Sequence, residues 1–187
     1  MGSESSKSGI NQFGGWEKGK RCCESDTKYQ FVKKLSWADC QMTSDDIYFL
    51  QHIGRFATLY TSEFLLNWQD LTHDFIEAEI ECSNETCKNN PNKNFVLTIE
   101  YGDGVSMNVG KYTKKFSDIK SFNPKSLSVY DLKTILNASK KYEKEPYDLI
   151  NHNCKIYAES FYHDAEKMDK ELDEAGEYAF LARGFYY

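Results

Sequence analysis

The sequence has no apolar run of about 18 residues, the length that a membrane-spanning helix needs, so we expect no transmembrane segment. Its polar start lacks the apolar stretch of a secretory signal, and we therefore expect a cytoplasmic protein whose six cysteines are reduced. It also lacks a basic excess, since 29 acidic residues outnumber 23 lysines and arginines and give a net charge of −6. Because nucleic-acid binding needs a basic surface, no nucleic-acid partner is expected.

The cysteines lack the paired spacing of a metal site. Cys82 and Cys87 are separated by four residues, with no second pair of the same kind and no flanking histidine. Zinc sites usually combine two such pairs. We therefore predict no metal site and no cofactor, and a zinc module built on Cys82 and Cys87 is the weakest of the alternatives.

The first residues, MGSESSKSG, match the pattern of N-myristoylated proteins, with Gly2 and Ser6 at the required places. One acyl chain binds membranes only marginally, so a second signal is needed. The basic residues before Cys22 and Cys23, together with acylation of either cysteine, could supply it. We thus expect residues 1–27 to be a flexible tail that reaches the cytoplasmic face of a membrane. An unmodified serine-rich tail is the alternative.

The remaining residues, 28–187, predict a single domain of ordinary size that ends in an aromatic tail. Its hydrophobic periodicity predicts a helix at 45–68, a strand at 73–82, a hairpin over 95–112, a helix at about 128–141 and a last helix from residue 153 or 154. This order is typical of an α+β fold in which an antiparallel sheet packs against helices.

The clearest helical pattern in the chain begins at Cys154. Apolar residues recur from there at helical spacing, namely Cys154, Tyr157, Ala158, Phe161, Tyr162 and Ala165. Asn153 can cap this helix, which would place Cys154 at the helix N-terminus. The partial positive charge and unpaired N–H groups there should lower the pKa of a thiol and could hold an oxyanion. A cysteine on an apolar stripe can equally be a packing residue, and this segment leaves both interpretations open.

A thiolate nucleophile needs a base, and the chain offers four histidines. Three of them are poorly placed to act on Cys154. His52 lies inside the first predicted helix, His163 lies nine residues beyond Cys154, and His152 lies two residues before it. His73 opens the first predicted strand and could face the helix tip from the sheet. Glu100 or Asn108, on the next two strands, could orient the His73 ring.

The chain resembles the circularly permuted papain-like proteins in three features. A histidine opens a strand, a hairpin follows, and the segment Tyr147-Asp-Leu-Ile-Asn-His-Asn-Cys154 leads into a helix. These include the lecithin:retinol acyltransferase-like family and the PPPDE peptidases, which are related to NlpC-type hydrolases. The resemblance covers residues 73–165, roughly half of the chain. Those families usually continue Asn-Cys-x-His-Phe, whereas this chain reads Asn-Cys-Lys-Ile-Tyr. The resemblance implies a permuted papain-like fold with Cys154 as nucleophile and His73 as its base.

The resemblance also implies a cysteine-dependent hydrolase or acyltransferase that acts on an acyl ester, an amide or an isopeptide bond. Its substrate would then be a lipid or a protein. The alternative is an inactive relative that serves as a membrane-associated binding or scaffold protein, because 13 tyrosines and 12 phenylalanines would suit a protein partner. An enzyme needs a reactive Cys154 close to His73, whereas a scaffold needs neither.

Overall fold

The structure is a computed structural model that describes residues 16–23, 27–42, 72–102, 104–113, 115–140 and 153–184. These residues form six strands and two helices, and every pair of neighbouring strands is antiparallel. The predicted α+β class with an antiparallel sheet is therefore confirmed. None of the described helices combines the length and the apolar character needed to cross a lipid bilayer.

The strands lie in the order β1-β5-β4-β3-β2-β6. Their bounds are Trp16–Lys18 for β1, Gln30–Gln41 for β2, Thr72–Cys82 for β3, Asn94–Tyr101 for β4, Val105–Tyr112 for β5 and Phe116–Phe122 for β6. The helices are α1, Val129–Ser139, and α2, Cys154–Gly184. The helix predicted at 45–68 lies outside the described residues.

Strand β3 is half-buried, as its alternating sequence predicts. Ile76, Ala78 and Ile80 are buried on the face that packs against the helices, whereas Glu79 between them is exposed. Ile76 lies opposite Ile99 of β4, and this register continues the same apolar face into the next strand. The face gains stability because cross-strand apolar pairs are removed from water together.

The hairpin predicted over 95–112 is formed by β4 and β5. The backbone N–H of Gly102 donates to the carbonyl of Gly104 at 3.1 Å and closes the turn. Gly104 has a φ of 151°, a conformation that residues with a side chain rarely adopt. The glycines at this turn therefore set where the chain reverses.

Both helices begin at the predicted caps. Ser128 and Asp131 form a reciprocal capping box at α1, and the Asn153 side chain accepts the backbone N–H of Ile156 at 3.0 Å at the start of α2. The predicted stripe on α2 is buried along its whole length, from Cys154 to Ala165. It packs on β2, β3 and β4, and this contact forms the main core.

A second apolar cluster covers the opposite face of the sheet near the start of β3. It consists of Ala38, Cys40, Phe75 and Tyr112, with Trp16, Met42 and Phe116 packed at its edge. Because neighbouring residues of a strand point to opposite faces, this cluster lies across the sheet from the Ile76 side. The start of β3 is therefore buried on both faces.

Residues 16–23 belong to the folded domain, although the sequence placed them in a flexible tail. Trp16 lies opposite Tyr112 in the β1–β5 pairing, and Gly19 donates its N–H to the carbonyl of Val109 at 2.9 Å. The predicted acylation sites Cys22 and Cys23 are half-buried there. Strand β1 has only three residues, which is too short for an alternation of apolar and polar side chains to be recognised, so the sequence could not indicate it.

Asp169 on α2 holds the segment that leads into α1. Its carboxylate accepts the backbone N–H groups of residues 125–127 at 2.8–3.1 Å. We expect Asp169→Ala to lower the free energy of unfolding by about 2 kcal/mol, because three N–H groups lose a charged acceptor. Urea unfolding measures the change, and Asp164→Ala, at an exposed position on the same helix, is the matched control. Equal effects of the two variants would contradict the anchoring role.

Candidate active site

Cys154, His73 and Glu100 meet at one end of the sheet. The apolar stripe of α2 lies along β3 and β4, which brings the first residue of the helix to the start of β3. Since β3 and β4 are antiparallel, the start of β3 is also beside the end of β4, where Glu100 lies. The start of α2 is thus brought to the end of the sheet that carries His73 and Glu100. By strand parity these two side chains lie on the face of Phe75 and Tyr112, opposite the face that contacts the apolar stripe of the helix.

The side chains of these residues form a hydrogen-bonded chain. The Cys154 thiol is hydrogen-bonded to the His73 ring, and His73 Nε2 is 2.9 Å from Glu100 Oε2. All three residues are buried, with 5% of Cys154 and 1% of each of the other two exposed. The order thiol, imidazole, carboxylate is the arrangement by which a nucleophile, its base and an orienting group cooperate.

Tyr112 completes the environment of the carboxylate. Its phenol O–H donates to Glu100 Oε2 at 2.6 Å, so that one oxygen accepts from both Tyr112 and His73. Tyr112 was not among the residues predicted for the site, although its strand parity was available in the sequence. Tyr112 has the same strand parity as Asn108, so the alternation of β5 places both residues on one face of the sheet.

Asn108 is not hydrogen-bonded to His73. It lies opposite Thr98 on the neighbouring strand, whereas Glu100 lies opposite Ser106. Its side-chain Nδ2 is buried without a hydrogen-bond partner among the described residues. Of the two side chains predicted as alternatives, the structure brings Glu100 alone into hydrogen-bonding contact with His73.

The electrostatics of the site favour a charged imidazole. Burial lowers the pKa of His73, but hydrogen bonds and charge interactions with Cys154 and Glu100 outweigh burial and raise that pKa to about 10. A raised pKa favours the protonated ring at neutral pH, with a sulfur on one side of it and a carboxylate on the other. Such a ring can stabilise a thiolate and can later donate its proton.

A second buried carboxylate lies beside the site in sequence and on the helix side of the sheet. Asp74 accepts the Trp37 indole N–H at 2.8 Å, and burial raises the pKa of Asp74. Trp37 is itself part of the main core. Asp74 and His73 are neighbours on β3, so their side chains lie on opposite faces of the sheet. Asp74 therefore links β3 to Trp37 of β2, and it does not lie on the face where Glu100 is hydrogen-bonded to His73.

Of the predicted lipidation sites, the two that the structure describes, Cys22 and Cys23, do not contribute to this arrangement. Gly2 lies outside the described residues. Cys22 and Cys23 lie near Cys82, at the far end of β3 from His73.

No family model matches the chain, and neither the curated proteins nor the solved structures contain a match to it.

Proposed function

We propose that the chain is a cysteine-dependent hydrolase or acyltransferase in which Cys154 is the nucleophile, His73 the general base and Glu100 the residue that orients His73. The observation that carries the proposal is the buried thiol–imidazole–carboxylate chain. Burying three ionisable groups together is costly unless they are paired, and such clusters are concentrated at functional sites.

The proposed reaction proceeds in two steps. The Cys154 thiolate attacks the carbonyl carbon of an ester or amide, while backbone N–H groups at the start of α2 stabilise the oxyanion. When the C–O or C–N bond breaks, the leaving group takes the proton held by His73, and an acyl-thioester remains on Cys154. His73 then accepts a proton from water or from an acceptor hydroxyl or amine, whose attack releases the acyl group and restores the thiolate.

We also propose that the α+β domain is a permuted papain-like fold. A helix that begins with the nucleophilic cysteine and packs on an antiparallel sheet carrying the histidine supports this interpretation. The substrate class follows from the same resemblance and comprises acyl esters, amides and isopeptide bonds of lipids or proteins. Myristoylation of Gly2 would place the domain at the cytoplasmic face of a membrane, close to a lipid substrate.

The acyl-thioester is the species to detect. We expect the full chain, mixed with p-nitrophenyl acetate or octanoate and quenched in acid, to carry an acyl group on Cys154 that neutral hydroxylamine removes. Intact-mass and peptide mass spectrometry measure the adduct. Cys154→Ala should lack it, and Cys40→Ser, which removes another buried thiol, should retain it.

The burial of the site also favours a second candidate function, an inactive relative that acts as a binding or scaffold protein. Only 5% of Cys154 is exposed, and a purely structural thiol would be expected to be buried to this extent. Failure of both esters to acylate Cys154, in a sample whose Cys154 remains reduced, would contradict the enzyme and leave this alternative.

A further inference from the structure

Four thiol groups come together at the end of β3 that lies away from His73. The Sγ atoms of Cys22, Cys23, Cys82 and Cys87 all lie within 4.8 Å of one another. Two of these separations are 3.7 Å, between Cys22 and Cys23, and 3.4 Å, between Cys23 and Cys82. We propose that these four cysteines bind one Zn²⁺ ion in a structural site.

The spacing of the sulfur atoms suits a single tetrahedral ion. A Zn–S bond is about 2.3 Å long, which places the sulfurs of a regular tetrahedron about 3.8 Å apart. The Cys22–Cys23 and Cys23–Cys82 separations, 3.7 and 3.4 Å, are close to this value, and no pair of the four sulfurs is more than 4.8 Å apart. Four thiolates also fill the coordination sphere, so the site offers no open position for a substrate and its role is structural.

Two separate parts of the fold contribute the ligands. Cys82 ends β3, and Cys87 ends the short 3₁₀ turn Glu85–Cys87 that the Asn84 side chain caps. Cys22 and Cys23 follow β1, which pairs with β5 on the other side of β4. A metal ion here would tie the N-terminal segment to the β3–β4 connection.

Hydrogen bonds to the sulfur atoms support metal ligation. The Gln30 amide, which is fully buried, donates from Nε2 to the Cys23 carbonyl at 2.6 Å and to Cys23 Sγ at 3.3 Å. The backbone of Asn84 is hydrogen-bonded to the Cys82 sulfur. Donors that hold the ligand atoms in place are the usual outer shell of metal sites.

The charge of the neighbouring sequence is also suitable. Four thiolates and one Zn²⁺ ion carry a net charge of −2. Lys20 and Arg21 precede the first ligand pair directly, and Lys88 follows Cys87. These cations are close to the ligands in sequence, where opposite charge would favour the thiolate form that zinc needs.

The proposed metal site is independent of the proposed catalytic function. His73 and Cys82 are nine residues apart on one strand, which corresponds to about 30 Å at 3.3 Å per residue. Only the Cys82–Cys87 pair has a spacing that suggests metal binding from sequence, because Cys22 and Cys23 are adjacent and Cys23 is 59 residues from Cys82. If the proposal holds, acylation of Cys22 or Cys23 would compete with metal binding.

Metal analysis of the purified full chain tests the proposal. We expect one zinc per chain, released when a mercurial reagent has modified four thiols. We also expect the chelator TPEN to lower Tm by about 10 °C and added Zn²⁺ to restore it, because structural zinc contributes directly to folding. Cys154→Ser should keep both the zinc and the chelator response, which separates this site from the active site.

Gln30→Ala provides a variant that keeps all four ligands. We expect it to weaken zinc binding by about 10–100-fold in competition with a chromophoric chelator, because loss of an outer-shell donor has this effect. Replacement of the zinc by Co²⁺ should give the charge-transfer and d–d absorption of a tetrahedral thiolate site. Reduced wild-type chain that binds less than one zinc under anaerobic titration, or that gives no thiolate-to-cobalt band, would overturn the proposal.

Discussion

Alkylation of Cys154 by iodoacetamide is expected to vary little between pH 6 and pH 9 in the wild-type chain and to rise about 240-fold over the same range in His73→Asn. The factor follows from an ordinary thiol with a pKa of about 8.5, of which about 0.3% is thiolate at pH 6 and about three quarters at pH 9. In the wild type the imidazolium of His73, whose pKa is raised to about 10, would keep the thiolate paired throughout that range.

The shape of this pH profile is more informative than the rate itself. Only 5% of Cys154 is exposed, so access will slow alkylation of the wild type and the variant alike. Limited access cancels when rates at two pH values are divided for the same protein. Peptide mass spectrometry is needed to separate Cys154 from Cys40, which is also buried near the site.

The matched control for this experiment is His163→Asn. His163 lies on the same helix as Cys154, and its exposed side chain pairs with Glu166. It should leave the flat profile of the wild type unchanged. A wild-type profile that rises with pH as steeply as that of His73→Asn would mean that His73 does not activate the thiol, and the scaffold function would then be favoured.

The parts of the fold that follow from local chemistry could be predicted from the sequence. The alternation of Ile76, Ala78 and Ile80 with glutamates specified β3, because one side of this strand meets the core and the other meets water. The Ser128 capping box and the Asn153 cap likewise fixed the helix starts. In each case the signal lies within a few residues of the element that it specifies.

Strands β2 and β6 could not be predicted in this way. Residues 35–38 of β2 are buried in succession, because apolar clusters cover both faces of the sheet there. Buried residues on both faces remove the alternation that identifies a half-buried strand. Strand β6 lies at the edge of the sheet and is largely exposed, so its sequence carries little apolar pattern.

The candidate site shows the same limit. The sequence indicated Cys154 and His73 through their places at a helix start and a strand start, but it left Glu100 and Asn108 as alternatives. The choice depends on the register of β4 and β5, which places Glu100 two residues closer to the His73 end of the sheet. Register is a property of paired strands, and no single strand contains it.

Glu100→Gln is expected to lower the free energy of unfolding by about 3–5 kcal/mol at pH 7, because it removes the carboxylate, one of the two charged partners of the buried His73 ring. The penalty should depend on pH. The folded pKa of His73, about 10, lies above its unfolded value of about 6.5, so its charge contributes stability that is fully present below pH 6.5. That contribution is lost as pH rises through about 10.

Urea unfolding of the wild type and of Glu100→Gln at pH 7 and pH 10.5 measures this dependence. Lysines and tyrosines also titrate in this range, but they are common to both proteins and their effect cancels in the difference. Glu81→Gln is the control, since Glu81 forms exposed ion pairs with Lys33 and Lys93 at 3.2 and 3.5 Å that contribute little. If the Glu100→Gln penalty were equal at the two pH values, Glu100 would act on a neutral His73 ring, and the imidazolium required to activate Cys154 would be absent.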